Sequence, residues 1–314
     1  MIVGVGTICV DIIAFMDRFP EIGETVKGDK VGLFPGGKVS NATIMTARLA
    51  EKFGVSYMIG KWGKDFYAPI CKKHFREMLV NTKYCKYGLK NTNTPLIYVN
   101  KYGENMIVCT PGASSELSRD DIDKALPILK NCKVCILESG IPFEISEYVA
   151  NIVRQNGGET VFIPAPAQGL TPEFLSSFDY VLPNETEAKE ISGVEIKDEL
   201  DIYKSGRLIN EKGVRNVIIT ASDKGAYFIN KDKEILIPSY KVKTVDPTGA
   251  GDSFAGGLAY GLYKGLNIEN SIRLGNVTGA LAVTKLGAGT SIPSRTEVLQ
   301  FIKEKKIRKL ENLI

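Results

Sequence analysis

The chain has 314 residues, 44% of them hydrophobic and 24% charged, and a net charge of +4 from 40 basic and 36 acidic side chains. This is ordinary soluble globular composition, and the charge is too mild and too scattered to argue for nucleic acid as a partner. No apolar run approaches the roughly 18 residues of a membrane span, and the start, Met1-Ile2-Val3-Gly4-Val5-Gly6, lacks a basic flank, so the expected compartment is the cytoplasm.

Strand-like and helix-like runs alternate almost throughout. Residues 1–6 read as a first strand and Ser40 to Lys52 as a helix, with Ser40 a plausible cap. One helix over 119–130 leads to a buried strand at 133–137, a helix near 143–155 and the strand Thr160 to Ile163. Tyr180-Val181-Leu182 is a short strand ending at Pro183, followed by helices near 185–192 and 199–212 and the strand Asn216 to Thr220. An extended run from Ile235 through Val245 precedes a helix striped by Phe254, Leu258 and Leu262, and residues 268–286 form a long helix rich in alanine and leucine. This alternation predicts an α/β fold: a doubly wound, mostly parallel sheet flanked by helices, forming one domain over 1–314. Two segments break it. Residues 12–35 and 94–109 alternate apolar and polar with period two, and Tyr102-Gly103-Glu104-Asn105 reads as a hairpin turn. They are expected to form antiparallel strands projecting from the main sheet as a small lid.

Ligands in such sheets lie at the carboxyl ends of strands. Asp11, Glu138, Asn184, Thr220 and Asp252 all follow predicted strand ends, so one cleft is expected to collect them. The strongest motif is Asp246-Pro247-Thr248-Gly249-Ala250-Gly251-Asp252, a glycine turn opening a helix. Free N–H groups at such a turn form a nest for an anion, and the helix dipole adds to it. A carboxylate there fits a phosphate in transit, with Asp252 taking a proton from the attacking hydroxyl. Alone, the same string also describes a tight turn with a dipole-favouring Asp.

Gly36-Gly37-Lys38-Val39-Ser40-Asn41 offers close backbone approach and two hydrogen-bonding side chains for hydroxyls, or only a helix-initiating turn; it is not a Walker A loop. Asn184-Glu185-Thr186-Glu187 suits a hydrated magnesium carrying phosphates, or a capped helix start. Thr220 through Gly225 is a polar turn suited to nucleotide phosphate or ribose. Gly4-Val5-Gly6 lacks the third glycine of a dinucleotide fingerprint, since position 9 is cysteine, and that reading is rejected. The six cysteines (9, 71, 85, 109, 132 and 135) are scattered, and Cys132-Lys133-Val134-Cys135 has no second CxxC to pair with. His74 is the only histidine, so buried free thiols are expected rather than metal or redox work.

Gly36-Gly37-Lys38 with Asn41, then Asn184-Glu185-Thr186-Glu187, then Asp246 through Asp252, in this order and at these spacings, resemble the motifs of the ribokinase-like (PfkB) sugar kinases, and the similarity covers essentially the whole chain. Pro164-Ala165-Pro166-Ala167 and Gly103-Glu104-Asn105 are closest in pattern to the ribokinase branch. The resemblance implies transfer of the ATP γ-phosphoryl to a hydroxyl of a small sugar, ribose or a related pentose or hexose. Asp252 matches the family's base and Gly249, Ala250 and Gly251 its anion hole. Asn184 and Glu187 match the ATP–magnesium motif, Glu187 reaching Mg2+ through water. Thr220, Ser222, Gly225, Gly251 and Asn276 match nucleotide contacts. Asp11, Gly37, Lys38, Asn41 and Glu138 match sugar contacts. Asp246, Thr248, Ala282, Lys285, Gly287 and Ser291 match a monovalent-cation site, K+ in many members, built mostly from backbone carbonyls. The lid of ribokinases often forms a dimer interface, which implies a homodimer as a possible partner arrangement.

Four positions, at three places, depart from the ribokinase pattern. Cys9 stands where an asparagine is usual, Val39-Ser40 replaces Gly-Ala, and Ile163 replaces the asparagine before Pro-Ala-Pro-Ala. Cys9 and Val39 lie on the substrate side, so the particular sugar stays open, with a nucleoside kinase of the same fold or a catalytically silent binding regulator as rivals.

Overall fold

The computed structural model describes residues 1–310, so the last four residues of the expected 1–314 unit lie outside the described residues. β1 (Ile2–Val5) starts the main sheet. The chain leaves it for β2 (Cys9–Met16) and β3 (Gly28–Gly36), then returns through α1 (Lys38–Ala50) to β4 (Ser56–Ile59). After β5 (Lys61–Trp62), α2 (Tyr67–Glu77) and β6 (Lys86–Tyr87), a second excursion makes β7 (Leu96–Asn100) and β8 (Asn105–Val108). α3 (Arg119–Asp123) and α4 (Leu126–Leu129) precede β9 (Val134–Glu138), α5 (Phe143–Gln155), β10 (Glu159–Ile163) and the short α6 (Pro172–Leu175). β11 (Tyr180–Val181), α7 (Glu185–Ser192), α8 (Glu199–Glu211) and β12 (Asn216–Ala221) continue the alternation. β13 (Gly225–Ile229) and β14 (Glu234–Pro238) are followed by α9 (Ala250–Tyr263), α10 (Ile268–Ala282) and α11 (Arg295–Glu304).

Eight strands form the main sheet in the order β14-β13-β12-β11-β10-β9-β1-β4. The six from β12 to β4 are parallel, and β13 and β14 add antiparallel at one edge. Successive strand residues point to opposite faces, so the apolar runs feed two cores. Ile2, Val134, Ile136 and Val161 pack with Phe254, Leu258 and Leu262 of α9 on one face. Val3, Val5, Leu137 and Phe162 pack with Ile145 and Val149 of α5 on the other. The expected doubly wound, mostly parallel sheet is therefore present, and no described helix is long and apolar enough to cross a membrane.

Both excursions join one separate sheet, in the order β3-β2-β7-β8. Its hairpins are antiparallel, and Gly103 takes φ 81° at the predicted turn. Its central pair, β2–β7, is parallel, which corrects the all-antiparallel expectation; the pairing joins segments some 80 residues apart, beyond the reach of any local signal.

Other local corrections follow from backbone chemistry. The single helix expected over 119–130 is two, because Pro127 cannot extend a helix from within and instead occupies a first turn. The run after Pro238 leaves the sheet, since residues 239–244 pair with no strand. The long helix expected over 268–286 stops at Ala282. Ser40 is not the cap of α1: Gly37 is, and the Ser40 hydroxyl donates to the Thr7 carbonyl at 2.6 Å. Of the six free cysteines five are buried as expected, but Cys109, after β8, is exposed.

Candidate active site

The glycine turn is built by two loops meeting. Gly249 caps α9 with φ 80°, and a Cβ there would sit 2.8 Å from the Ala288 Cα. Only glycine satisfies both the left-handed backbone and that approach. Gly251 is the opposite case: it is exposed, and a Cβ there would meet nothing within 4 Å. The turn thus leaves open space over the first N–H groups of a 14-residue helix, the arrangement that receives an anion. Asp252 borders that space in the first turn. Its Oδ2 accepts from Asn41 Nδ2 at 2.8 Å, which joins α9 to α1.

Around Asp252 the substrate-side candidates converge. Asp11 lies within β2, not after β1, which corrects its expected place at the end of the first strand. Its carboxyl lies against Gly36, where a Cβ would be 2.6 Å from Oδ2, and its Oδ1 accepts from Cys9 Sγ at 3.4 Å. Glu138 ends β9 and is 2% exposed, with Oε1 accepting from the Thr7 N–H. Lys38 opens α1 and remains solvent-accessible, while its charge reaches Asp252, Glu138 and Glu187.

Crowding acids in this way shifts their protonation. Burial pushes Asp11 up to about 6, with Asp252 adding to the rise and the Cys9 thiol and Lys38 opposing it. Burial pushes Glu138 up to about 7 against the Thr7 N–H and Lys38. Burial also raises Asp252, against Lys38 and Asn41. Lys38 loses some basicity to burial but gains more from its acidic neighbours, so it stays charged. One ammonium among four carboxyl groups is a poor host for a bare triphosphate. It suits a neutral polyol together with a nucleotide that brings its own divalent cation.

Asn184 and Glu187 form a reciprocal cap at the start of α7, close enough for the Glu187 charge to act on Lys38 and Asp252. The Glu187 N–H donates to Asn184 Oδ1 at 2.8 Å, and the Asn184 N–H donates to Glu187 Oε2 at 2.9 Å. An isolated parallel bridge joins Asn184 to Thr220, whose N–H donates to the Pro183 carbonyl at 2.9 Å. Ser222 takes φ 44°, a strained value for a residue with a side chain, in the turn that reverses the sheet. Gly225 and Asn276 meet at the end of β14: a Cβ on Gly225 would lie 2.2 Å from the Ile237 carbonyl, and Asn276 Nδ2 donates to that carbonyl at 2.9 Å and to Pro238 at 3.1 Å. The Asn276 amide donors are thus held by the protein.

Of the six cation candidates, Asp246, Thr248 and Gly287 are joined directly. Asp246 accepts from the Thr248 N–H at 2.9 Å through Oδ1 and from the Gly287 N–H at 2.8 Å through Oδ2, clasping the two loops. The Lys285 N–H donates to the Ala282 carbonyl at 3.2 Å, and Ser291 Oγ donates to the Ala288 carbonyl at 2.9 Å. The Lys285 ammonium pairs with Glu297, which leaves its backbone carbonyl as the candidate ligand. Among the described residues no three acidic, cysteine or histidine side chains cluster as a metal site, so a cation here would be one held by carbonyl oxygens.

Sequence reasoning missed Thr7, which steadies Glu138 with its N–H and Ser40 with its carbonyl. The signal available was a polar residue directly after the first apolar run. It also missed Ala288, whose contact with Gly249 joins residues 39 apart and leaves no local trace.

An anion cradle beside a carboxylate that can accept a proton, facing a cluster suited to hydroxyls, is the equipment of a small-molecule kinase. Comparison with known proteins gives the family. The pattern of the pfkB family carbohydrate kinases matches residues 1–295, and the chain belongs to that family. The ribokinase of Haemophilus influenzae is 34% identical over 298 residues, covering 95% of this chain and 96% of its own. A deoxyribokinase of Salmonella typhimurium is 29% identical over 300 residues, covering 95% and 97%. The structure of Arabidopsis thaliana ribokinase complexed with ribose and ATP superposes with a TM-score of 0.85 at 26% identity, covering 96% of this chain and 98% of that one.

Proposed function

We propose that this protein transfers the γ-phosphoryl of ATP to a hydroxyl of a small pentose or hexose, with Asp252 as the general base. The observation that carries this is the open space over Gly251 beside the Asp252–Asn41 pair. Asp11, Lys38, Asn41 and Glu138 hold the sugar hydroxyls. Asp252 takes the proton from the acceptor hydroxyl as its oxygen attacks the γ-phosphorus; the bond to the β-phosphate oxygen breaks and ADP leaves. The N–H groups of Gly249, Ala250 and Gly251 hold the charge that gathers on the transferred group. Asn184, Glu187, Thr220, Ser222, Gly225 and Asn276 line the nucleotide side. Glu187 would hold a bound Mg2+ through water, and the ion would neutralise the phosphates. The test is a panel of sugars and nucleosides with ATP and magnesium, read as ADP release. Turnover on a sugar is expected; turnover only on nucleosides, or none, would overturn the reading.

Potassium in the ring of Asp246, Thr248, Ala282, Lys285, Gly287 and Ser291 would order the loops that set Gly249. Rates should rank potassium above sodium above a large organic cation, and equal rates in all three would remove the cation. The chain acts as one unit in the cytoplasm. Exposed Val31 on β3 and Met106, Ile107 and Val108 on β8 support a homodimer through the small sheet. Val31→Glu with Ile107→Glu should give a monomer by sedimentation if that is the interface.

Cys9 favours a second refinement. Its thiol, 3% exposed, already donates to Asp11, leaving a weak partner where a sugar hydroxyl would need a strong one. The enzyme should prefer a sugar that differs from ribose at this contact, and Cys9→Asn should move kcat/KM toward ribose. Efficient ribose use with Cys9→Asn neutral would contradict it.

A further inference from the structure

His74, the one histidine, lies near the end of α2 and belongs to none of the motifs above. Its Nε2 is buried with no partner among the described residues. Burial lowers its pKa, Arg48 lowers it further and Glu77 opposes them, so the ring is neutral at neutral pH. Asn41 presents a second such atom. Its Nδ2 donates to Asp252, whereas its Oδ1 is buried and likewise unpartnered.

The two atoms face one α-carbon. A Cβ on Gly289 would lie 3.3 Å from Asn41 Oδ1 and 3.5 Å from His74 Nε2, and 2.5 Å from the Pro35 carbonyl. Gly289 therefore leaves a small polar seam between α1, α2 and the loop that also touches Gly249. With its proton on Nε2, the neutral histidine would offer an N–H to this seam, and Asn41 offers a carbonyl oxygen. Buried polar atoms are almost always paired, by direct contact or by a water with partners on both sides. The orientation of the Asn41 amide matters because its other end faces a carboxylate: turned over, it would set Oδ1 against Asp252, acceptor against acceptor.

We propose that His74 is a positioning residue for phosphoryl transfer: its Nε2–H, directly or through one water, holds Asn41 Oδ1 inward and so keeps Asn41 Nδ2 on Asp252. This rests on the reading of Asp252 as the base. The effect falls on the chemical step and leaves ATP binding alone, since the nucleotide-side residues lie on other elements.

The experiment compares His74→Phe, which keeps a ring without a donor, with His74→Gln, which keeps a side-chain N–H. With the sugar that the wild type turns over, His74→Phe should lower kcat about tenfold with the KM for ATP changed less than about twofold, the pattern of an interaction that matters in the transition state. His74→Gln should recover most of the rate. In an Asn41→Ala background the His74→Phe change should have little further effect, because the two act as one unit. A His74→Phe enzyme at wild-type kcat, or a melting temperature lowered with kcat intact, overturns the proposal. So does equal loss in the Phe and Gln variants, or full additivity with Asn41→Ala. A wild-type protein that phosphorylates no sugar would overturn the reading of the site instead, which is a separate outcome.

Discussion

The proposed nucleotide and sugar sides of the site are built on opposite principles. On the nucleotide side the polar side chains already serve the fold: Asn184 and Glu187 cap α7, and Asn276 holds the end of β14. On the sugar side the charged groups are crowded and incompletely paired. Asp11 and Glu138 are pushed up to about 6 and about 7, and Asp252 is raised. A region whose polar groups are satisfied by the protein is preformed and tolerant of its ligand. A region whose groups are left wanting partners gains most when hydroxyls arrive. The chemistry and the discrimination between sugars should therefore sit on the second side, and the fold's stability on the first.

The sharpest way to break this contrast is at the hinge between the sides. Gly251→Ala adds a methyl to space that the protein leaves open, so melting should change little while turnover falls by about 10², the scale of losing a donor to developing charge. Gly249→Ala should fall in both, because its Cβ would meet Ala288 and its backbone is left-handed. Equal melting losses in the two variants would mean that the open space is not a ligand's. Next in size, Asp11→Ala removes a charged acceptor of a sugar hydroxyl, and sugar affinity should fall by about tenfold or more with ATP affinity unchanged.

The same carboxyl gives a pH signature. Its folded value of about 6 lies above the ordinary 3.8, so it gains a proton as pH drops through about 6 and can no longer accept from two hydroxyls. The kcat/KM for the sugar should decline as pH falls through about 7 and about 6, where Glu138 and Asp11 gain protons, and Asp11→Asn should remove the lower part of this limb without moving the KM for ATP. The smallest effect belongs to the preformed side. Asn184→Ala loses a cap, and stability should drop by about 1 kcal/mol in denaturant melts while the sugar KM stays put. A large loss of sugar affinity there would erase the distinction between the sides.

The sequence carried the parts of this contrast that are local. The glycines and Asp252 sit within one turn, the period-two runs mark the small sheet, and the alternation marks the main one. What stayed hidden depends on contacts between distant residues. The parallel β2–β7 pair, the seat of Ala288 on Gly249 and the seam of His74, Gly289 and Asn41 each join segments more than 30 residues apart in the chain. Asn276 illustrates the limit: its type and place fit a nucleotide contact, and nothing local in the sequence shows that its Nδ2 also donates to the end of β14. Asp11 read as the end of a strand because the chain passes from β1 to β2 within a few residues, and only the pairing of β2 with β3 shows that it belongs to the other sheet.

The central claim is that Asp252 accepts the proton of the attacking hydroxyl. Asp252→Asn keeps the size and can still pair with Asn41, but it cannot take up a proton. Turnover on the sugar that the wild type prefers should fall by at least ~10², the usual scale of general base catalysis, with ATP binding measured by calorimetry nearly unchanged. A variant that turns over that sugar at close to the wild-type rate would contradict the account.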